Sequence, residues 1–158
     1  MYQLRGQRVA ATPESTIRAN AFGFCSFLNF KPKKSRKKRY DQSLEQLSLY
    51  GITLNVVADD EWTSVTFGSI SGHYDPLTRT ISVPEKIYID ACAGVRDALF
   101  IMMHEIGHLI LGHQASLHYS KTPPTFAEDA EWQADKFAEY ALYYLGYEEE
   151  KQLAFDFY

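Results

Sequence analysis

The sequence predicts an α+β domain in which helices surround a small antiparallel sheet. Apolar residues recur at helical spacing in three long segments of the chain, and three shorter runs are rich in residues that favour strands. The chain has 158 residues, of which 46% are hydrophobic and 23% are charged, and these values are typical of one globular core. Because the strand-forming runs follow one another between helical segments, we expect neighbouring strands packed beside helices.

The individual elements follow from capping residues, turn residues and periodicity. Thr12, Pro13 and Glu14 are typical of a helix N-terminus. Gly51 is a typical terminator for the short helix that starts at Asp41. The predicted elements are helices over 13–29 and from 41, strands over 52–57, 64–70 and 79–83 with turns at 59–61 and 71–76, a core-crossing helix over 93–113 and a last helix over 126–145.

Charge and hydropathy exclude several classes of protein. Sixteen basic and twenty acidic residues leave a net charge of −4, which is too small to imply bulk attraction to nucleic acid or to a membrane. We find neither a stretch of about 18 apolar residues nor the pattern of a secretory signal peptide, so we expect a cytoplasmic protein without a membrane partner. Cys25 and Cys92 are far apart in the sequence and are expected to be reduced thiols.

A basic run divides the sequence into a short N-terminal part and a main domain. Residues 33–39 contain six Lys or Arg side chains, which repel one another and resist compaction. We therefore interpret residues 1–40 as an N-terminal helix and a solvated linker, and residues 41–158 as the main domain. Direct contact between residues 31–39 and nucleic acid is the less favoured alternative, because no aromatic residues are interleaved with the charges.

The core-crossing helix carries an H-E-x-x-H sequence formed by His104, Glu105 and His108. At 3.6 residues per turn, the two imidazoles project from one face of the helix and can reach a single Zn²⁺ ion. Glu105 points about 100° away from His104, toward a water molecule in the open coordination position, where it can act as a general base. The motif therefore predicts a catalytic zinc centre, which needs a third protein ligand.

The last helix offers the third ligand in Glu131, with Asp135 one turn further along the same face. If the two helices pack side by side, Glu131 completes a His₂Glu set. Asp135 can then accept a hydrogen bond from the outer nitrogen of a ligating histidine. Glu128 is the competing ligand, and we prefer Glu131 because it has Asp135 four residues after it.

Other histidines and tyrosines are candidates for secondary roles. His113 lies nine residues after His104, one short of the spacing of a third histidine ligand in metzincins. We interpret it as a helix-end residue, with zinc ligation or assistance at the site as alternatives. The side chains that could stabilise an oxyanion are His73, Tyr74, His113, His118 and Tyr119.

The segments 96–113 and 131–138 resemble the ImmA/IrrE family of zinc metallopeptidases. The resemblance covers about residues 44–142, and the two motifs agree in order and distance. It departs from the family pattern at Met103, where a small residue is usual. It implies a thermolysin-like zincin core, with an active-site helix followed by a Glu-bearing helix, in a protein of bacterial or phage origin. In several members of this family the substrate is a DNA-binding repressor.

Motif and resemblance together predict a zinc-dependent endopeptidase that cleaves a transcriptional repressor or another cytosolic regulatory protein. The substrate is expected to add as a strand beside residues 64–70 or 79–83. The alternative is a regulatory binding protein that does not cleave peptides and has a structural or vestigial zinc site. Glu105 argues against that alternative, because a structural site has no use for a base.

Overall fold

A computed structural model describes residues 1–32, 39–66, 71–114 and 122–147 of the chain. Most of the basic run, residues 33–38, lies outside the described residues. Within the described ranges the fold is mixed α and β, with helices around a three-stranded sheet, which confirms the predicted α+β class. None of the helices in these ranges is both long and apolar enough to cross a membrane.

The N-terminal helices begin and end close to the predicted residues. Helix α1 spans Glu14–Phe27, directly after Pro13 at the N-cap. Helix α2 spans Asp41–Glu45 and continues as a 3₁₀-helix over Gln46–Tyr50. Gly51 ends it with φ of 75°, a left-handed conformation that glycine adopts without steric cost.

The sheet is mixed, so the prediction of a purely antiparallel sheet is wrong. Strands β1 (Thr53–Val57), β2 (His73–Asp75) and β3 (Thr80–Pro84) have the order β1-β3-β2. Strand β1 pairs with β3 in parallel, and β2 pairs with β3 antiparallel. The parallel pair arises because the chain leaves β1 through a helix before it returns, as parallel strands require.

That helix, α3, replaces the beginning of the predicted strand over 64–70. It spans Asp59–Thr66, while residues 67–70 lie outside the described part of the chain. The acidic residues 59–61 form its first turn, where carboxylates interact favourably with the helix dipole. The predicted turn at 59–61 is therefore wrong, and residues 71–76, also predicted as a turn, contain β2.

Two further helices follow the sheet where the sequence predicts one. Helix α4 spans Glu85–Cys92 and helix α5 spans Arg96–Ile110. Gly94, with φ of 81°, lies between them and breaks the predicted helix over 93–113 near its start. Eight residues of α5 are buried, in agreement with a helix that crosses the core.

The last predicted helix is also divided in the structure. A 3₁₀-helix over Phe126–Glu128 precedes helix α6, which spans Ala130–Tyr144. Asp129 separates them and caps α6, because its side chain accepts a hydrogen bond from the backbone N–H of Glu131.

Helix α6 packs between α1 and α5 in the hydrophobic core. Gly107 of α5 allows close approach, since a Cβ atom there would lie 3.0 Å from Phe137 Cβ. The ring of the same residue, Phe137, also lies 6.0 Å from that of Phe24 in α1. This packing holds α5 and α6 in a fixed relation, and both helices carry predicted site residues.

Candidate metal centre and active site

Helix α5 directs the two motif histidines toward one point. His104 Nε2 and His108 Nε2 are 3.2 Å apart, and the two rings are nearly perpendicular. The two side chains are largely buried. The four-residue spacing on a helix accounts for this convergence.

Helix α6 brings Glu131 to the same point. Its Oε2 atom lies 2.7 Å from His104 Nε2 and 3.3 Å from His108 Nε2. Tetrahedral ligands bound to zinc at 2.0–2.1 Å are about 3.3 Å apart, so this donor set has the chemistry and nearly the spacing that zinc requires. Hydrogen bonds to the two histidines hold the pKa of Glu131 well below its ordinary value, which keeps the carboxylate ionised.

The competing acid, Glu128, is engaged elsewhere. Its two carboxylate oxygens each lie 3.1 Å from a guanidinium nitrogen of Arg8, and it also accepts the backbone N–H of Thr125 at 2.9 Å. These contacts account for the lowered pKa of Glu128, with the Thr125 backbone contributing most. Glu128 therefore faces the N-terminal residues, whereas Glu131 faces the histidines.

The outer nitrogen of His104 is hydrogen-bonded to Asp135. His104 Nδ1 donates to Asp135 Oδ1 at 2.8 Å, and Asp135 Oδ2 accepts from Arg5 Nη2 at 2.9 Å. Burial acts to lower the pKa of His104, but Asp135 and Glu131 outweigh it and raise that pKa to about 9. The bond to Asp135 directs Nε2 of His104 toward Glu131.

A second hydrogen-bonded chain orients His108. Gln133 Nε2 donates to the backbone oxygens of Ala10 and Ala127, so its Oε1 faces His113 Nε2 at 2.7 Å. His113 Nε2–H therefore donates to Gln133, and its Nδ1 accepts from His108 Nδ1–H at 2.8 Å. Burial lowers the pKa of His113 to about 4, in keeping with a neutral ring. His108 Nε2 is left with a lone pair toward the centre of the site.

Glu105 lies beside the histidine pair and is buried. His104, Glu105 and His108 each offer one ligand atom, and these three atoms lie within 4.8 Å of one another. Burial raises the pKa of Glu105, and the nearby histidines partly oppose this effect. Gly72 allows the chain to pass close to this side chain, because a Cβ atom there would lie 3.0 Å from Glu105 Cγ.

A cavity of about 240 Å³ opens beside these residues. It has room for several water molecules, each of which occupies about 30 Å³ in the liquid. The residues that line it come from the N-terminal segment, from β2 and its turn, and from the two site helices: Gly6, Gln7, His73, Tyr74, Pro76, Glu105, His108, His113, Ala130 and Glu131.

The oxyanion candidates differ in their positions. His73 and Tyr74 line the cavity, and the ring of Tyr74 lies parallel to that of His108 with centroids 6.4 Å apart. Burial raises the pKa of Tyr74, so its hydroxyl remains a donor at neutral pH. His113 also borders the cavity, but both of its ring nitrogens already have partners. His118 and Tyr119 lie outside the described residues.

Sequence reasoning missed several residues around the site. Gln133 lies within the motif on α6, but an uncharged amide gives no pattern that would single it out. Arg5 and Gly6 lie more than 120 residues before Asp135 and Asp129, which they contact, so no local spacing connects them. Asp129 stands between two candidate ligands in the sequence, and its role as the cap of α6 depends on where that helix begins.

Comparison with known proteins gives a family match that includes both site helices. A family model described as the IrrE N-terminal-like domain (Peptidase_M78) matches residues 63–155, a segment that contains α5 and α6. No curated protein and no solved structure shows a significant match to the chain. Because the family match covers more than half of the 158 residues, the chain belongs to the ImmA/IrrE family of peptidases.

Proposed function

We propose that the protein is a zinc-dependent endopeptidase in which His104, His108 and Glu131 hold the metal and Glu105 is the general base. The observation that carries the proposal is the convergence of three ligand atoms, 2.7 to 3.3 Å apart, at a cavity that Glu105 also lines. Membership of a peptidase family supports the same reaction.

Zinc bound there supplies Lewis acidity, which makes a water molecule acidic enough to lose a proton near neutral pH and polarises the substrate carbonyl. Glu105 accepts the proton of the attacking water, and the new C–O bond forms at the carbonyl carbon. Glu105 then returns the proton to the amine nitrogen as the C–N bond breaks. The raised pKa of Glu105 suits the first of these transfers, because it makes this carboxylate a stronger base.

Strand β2 is the favoured place for an extended substrate. Strand β3 lies between β1 and β2, so the predicted addition beside residues 79–83 is wrong. The outer edge of β2 has no partner strand in the described sheet, and His73 and Tyr74 of β2 line the cavity. A peptide paired with this edge would pass the candidate metal site, and the side chain of either residue could donate to the oxyanion.

A transcriptional repressor of a bacterium or phage is the substrate we propose, with action in the cytoplasm and no need for membrane or nucleic-acid contact. The test incubates the purified protein, with and without a chelator, with the transcription regulator encoded beside its gene. We expect fragments that disappear with the chelator and return when zinc is added. A regulator that is bound but stays intact would support the non-proteolytic alternative.

Asp135→Ala is expected to weaken zinc binding by about 10–100-fold, as loss of a hydrogen-bond partner of a ligating histidine typically does. The reason is that His104 Nδ1 loses the acceptor that orients its ring. Competition with a chelating dye measures the affinity. An affinity equal to that of the unaltered protein would show that Asp135 does not orient His104.

A further inference from the structure

We propose that residues 2–9, here called the N-terminal clamp, hold Glu131 and Asp135 in position for metal binding and form one wall of the active-site cleft. The clamp lies outside the segment that the family model matches. This inference rests on the proposed zinc site. Two contacts carry the inference: Gly6 lies against Glu131, and Arg5 is hydrogen-bonded to Asp135.

The buried carboxylate of Asp129 joins the clamp to α6. Asp129 has no exposed surface, and its Oδ2 accepts the Tyr2 hydroxyl at 2.6 Å and the Arg5 backbone N–H at 2.8 Å. Its Oδ1 accepts the backbone N–H groups of Gly6 at 3.2 Å and Glu131 at 3.0 Å. One carboxylate therefore caps the helix that carries Glu131 and binds the clamp.

Backbone pairing fixes the clamp along the start of α6. The backbone N–H of Val9 donates to the backbone oxygen of Glu128 at 2.8 Å. The backbone N–H of Ala130 donates to the backbone oxygen of Gln7 at 3.0 Å. Between these bonds, the largely buried side chain of Arg8 pairs with Glu128. Together with the bonds of Tyr2 and Arg5 to Asp129, these contacts hold the clamp on both sides of Gly6.

Gly6 lies directly against the side chain of Glu131. A Cβ atom at this position would lie 2.6 Å from Glu131 Cγ, closer than such atoms pack in proteins. The backbone does not explain the glycine, because Gly6 is not among the described glycines with positive φ. Any larger residue would have to displace either the clamp or the Glu131 carboxylate.

Arg5 is connected to the site through Asp135. Its guanidinium donates to Asp135 Oδ2, while Asp135 Oδ1 accepts from His104 Nδ1. The Arg5 side chain is 53% exposed, so solvent screens its charge and we assign it a positioning role.

The clamp also borders the space into which a peptide would enter. Gly6 and Gln7 line the cavity together with His73 and Tyr74 of β2. A peptide that enters would therefore lie between the clamp and β2.

The test compares Gly6→Ala with Gly23→Ala, a matched control on α1 whose added Cβ would meet nothing within 4 Å. Zinc affinity is measured by competition with a chelating dye, and the cobalt-loaded proteins are compared by their visible absorption spectra. We expect about 10–100-fold weaker zinc binding and an altered cobalt spectrum for Gly6→Ala only. Thermal unfolding without metal shows whether each variant is folded.

If Gly6→Ala binds zinc as tightly as the unaltered protein, the proposed role of the clamp is wrong. If Gly6→Ala does not fold, Arg5→Gln decides instead: weaker zinc binding that Arg5→Lys restores supports the clamp, and unchanged binding overturns it. Because the readout is zinc affinity, a protein that binds zinc without cleaving peptides contradicts the proposed function alone. Failure of the unaltered protein to bind zinc contradicts both.

Discussion

Glu105→Gln is expected to lower the rate of peptide cleavage by about 10²–10⁴-fold while zinc binding is retained. The amide has nearly the same shape as the carboxylate, but it cannot accept the proton of the attacking water. The side chain is buried beside the histidine pair and lines the cavity, so the substitution changes a group that the proposed reaction uses directly. Cleavage of a confirmed substrate and zinc content are measured on the same preparation.

Glu61→Gln is the matched control for this substitution, because Glu61 is an exposed carboxylate in the first turn of α3. It should cleave at the rate of the unaltered protein. Undiminished cleavage by Glu105→Gln would remove Glu105 as the base, whereas loss of zinc from that variant would indicate that Glu105 helps to hold the metal.

Glu131→Ala is expected to lose zinc at low free metal, and with it all cleavage. Only His104 and His108 would remain of the proposed ligand set, and a catalytic zinc site usually needs three protein ligands. The loss of zinc affinity should exceed the roughly 10–100-fold that is typical when a hydrogen-bond partner of a ligand is removed. Metal analysis after dialysis against buffered zinc measures the loss.

Glu128→Ala separates the two candidate ligands. Its carboxylate contacts Arg8 and Thr125, so this variant should bind zinc more tightly than Glu131→Ala. The reverse order, or full zinc content in Glu131→Ala, would assign the third ligand to Glu128 or to another residue.

The convergence of the motif residues could be predicted because it depends on local geometry. His108 lies four positions after His104 on the helix, and that spacing alone brings the rings together. Predicting that Glu131 approaches the histidines needed the further assumption that the two helices pack side by side. The close contact between Gly107 and Phe137 makes this packing possible. The roles of these residues in binding and catalysis stay predictions.

The sheet could be predicted only in part, because pairing depends on connections that periodicity does not describe. Residues 52–57 and 79–83 have the composition of strands, and β1 and β3 lie close to those limits. Their parallel pairing results from the chain that runs between them through α3, whose sequence has the composition of a turn followed by a strand.

The contacts of the N-terminal residues could not be predicted from the sequence. Tyr2, Arg5 and Gly6 meet Asp129 and Asp135 from more than 120 positions away. No periodicity or motif connects segments so far apart, and only the packed fold brings them together. The same holds for His113 and Gln133, whose contact depends on the end of α5 lying beside α6.

The most direct test of the proposed active site is a titration of the metal-depleted protein with zinc while cleavage of a confirmed substrate is followed. A single site formed by His104, His108 and Glu131 predicts that activity rises in proportion to added zinc and stops rising at one zinc per chain. Full activity in the presence of excess chelator, or activity that appears only after a second equivalent of zinc, would contradict it.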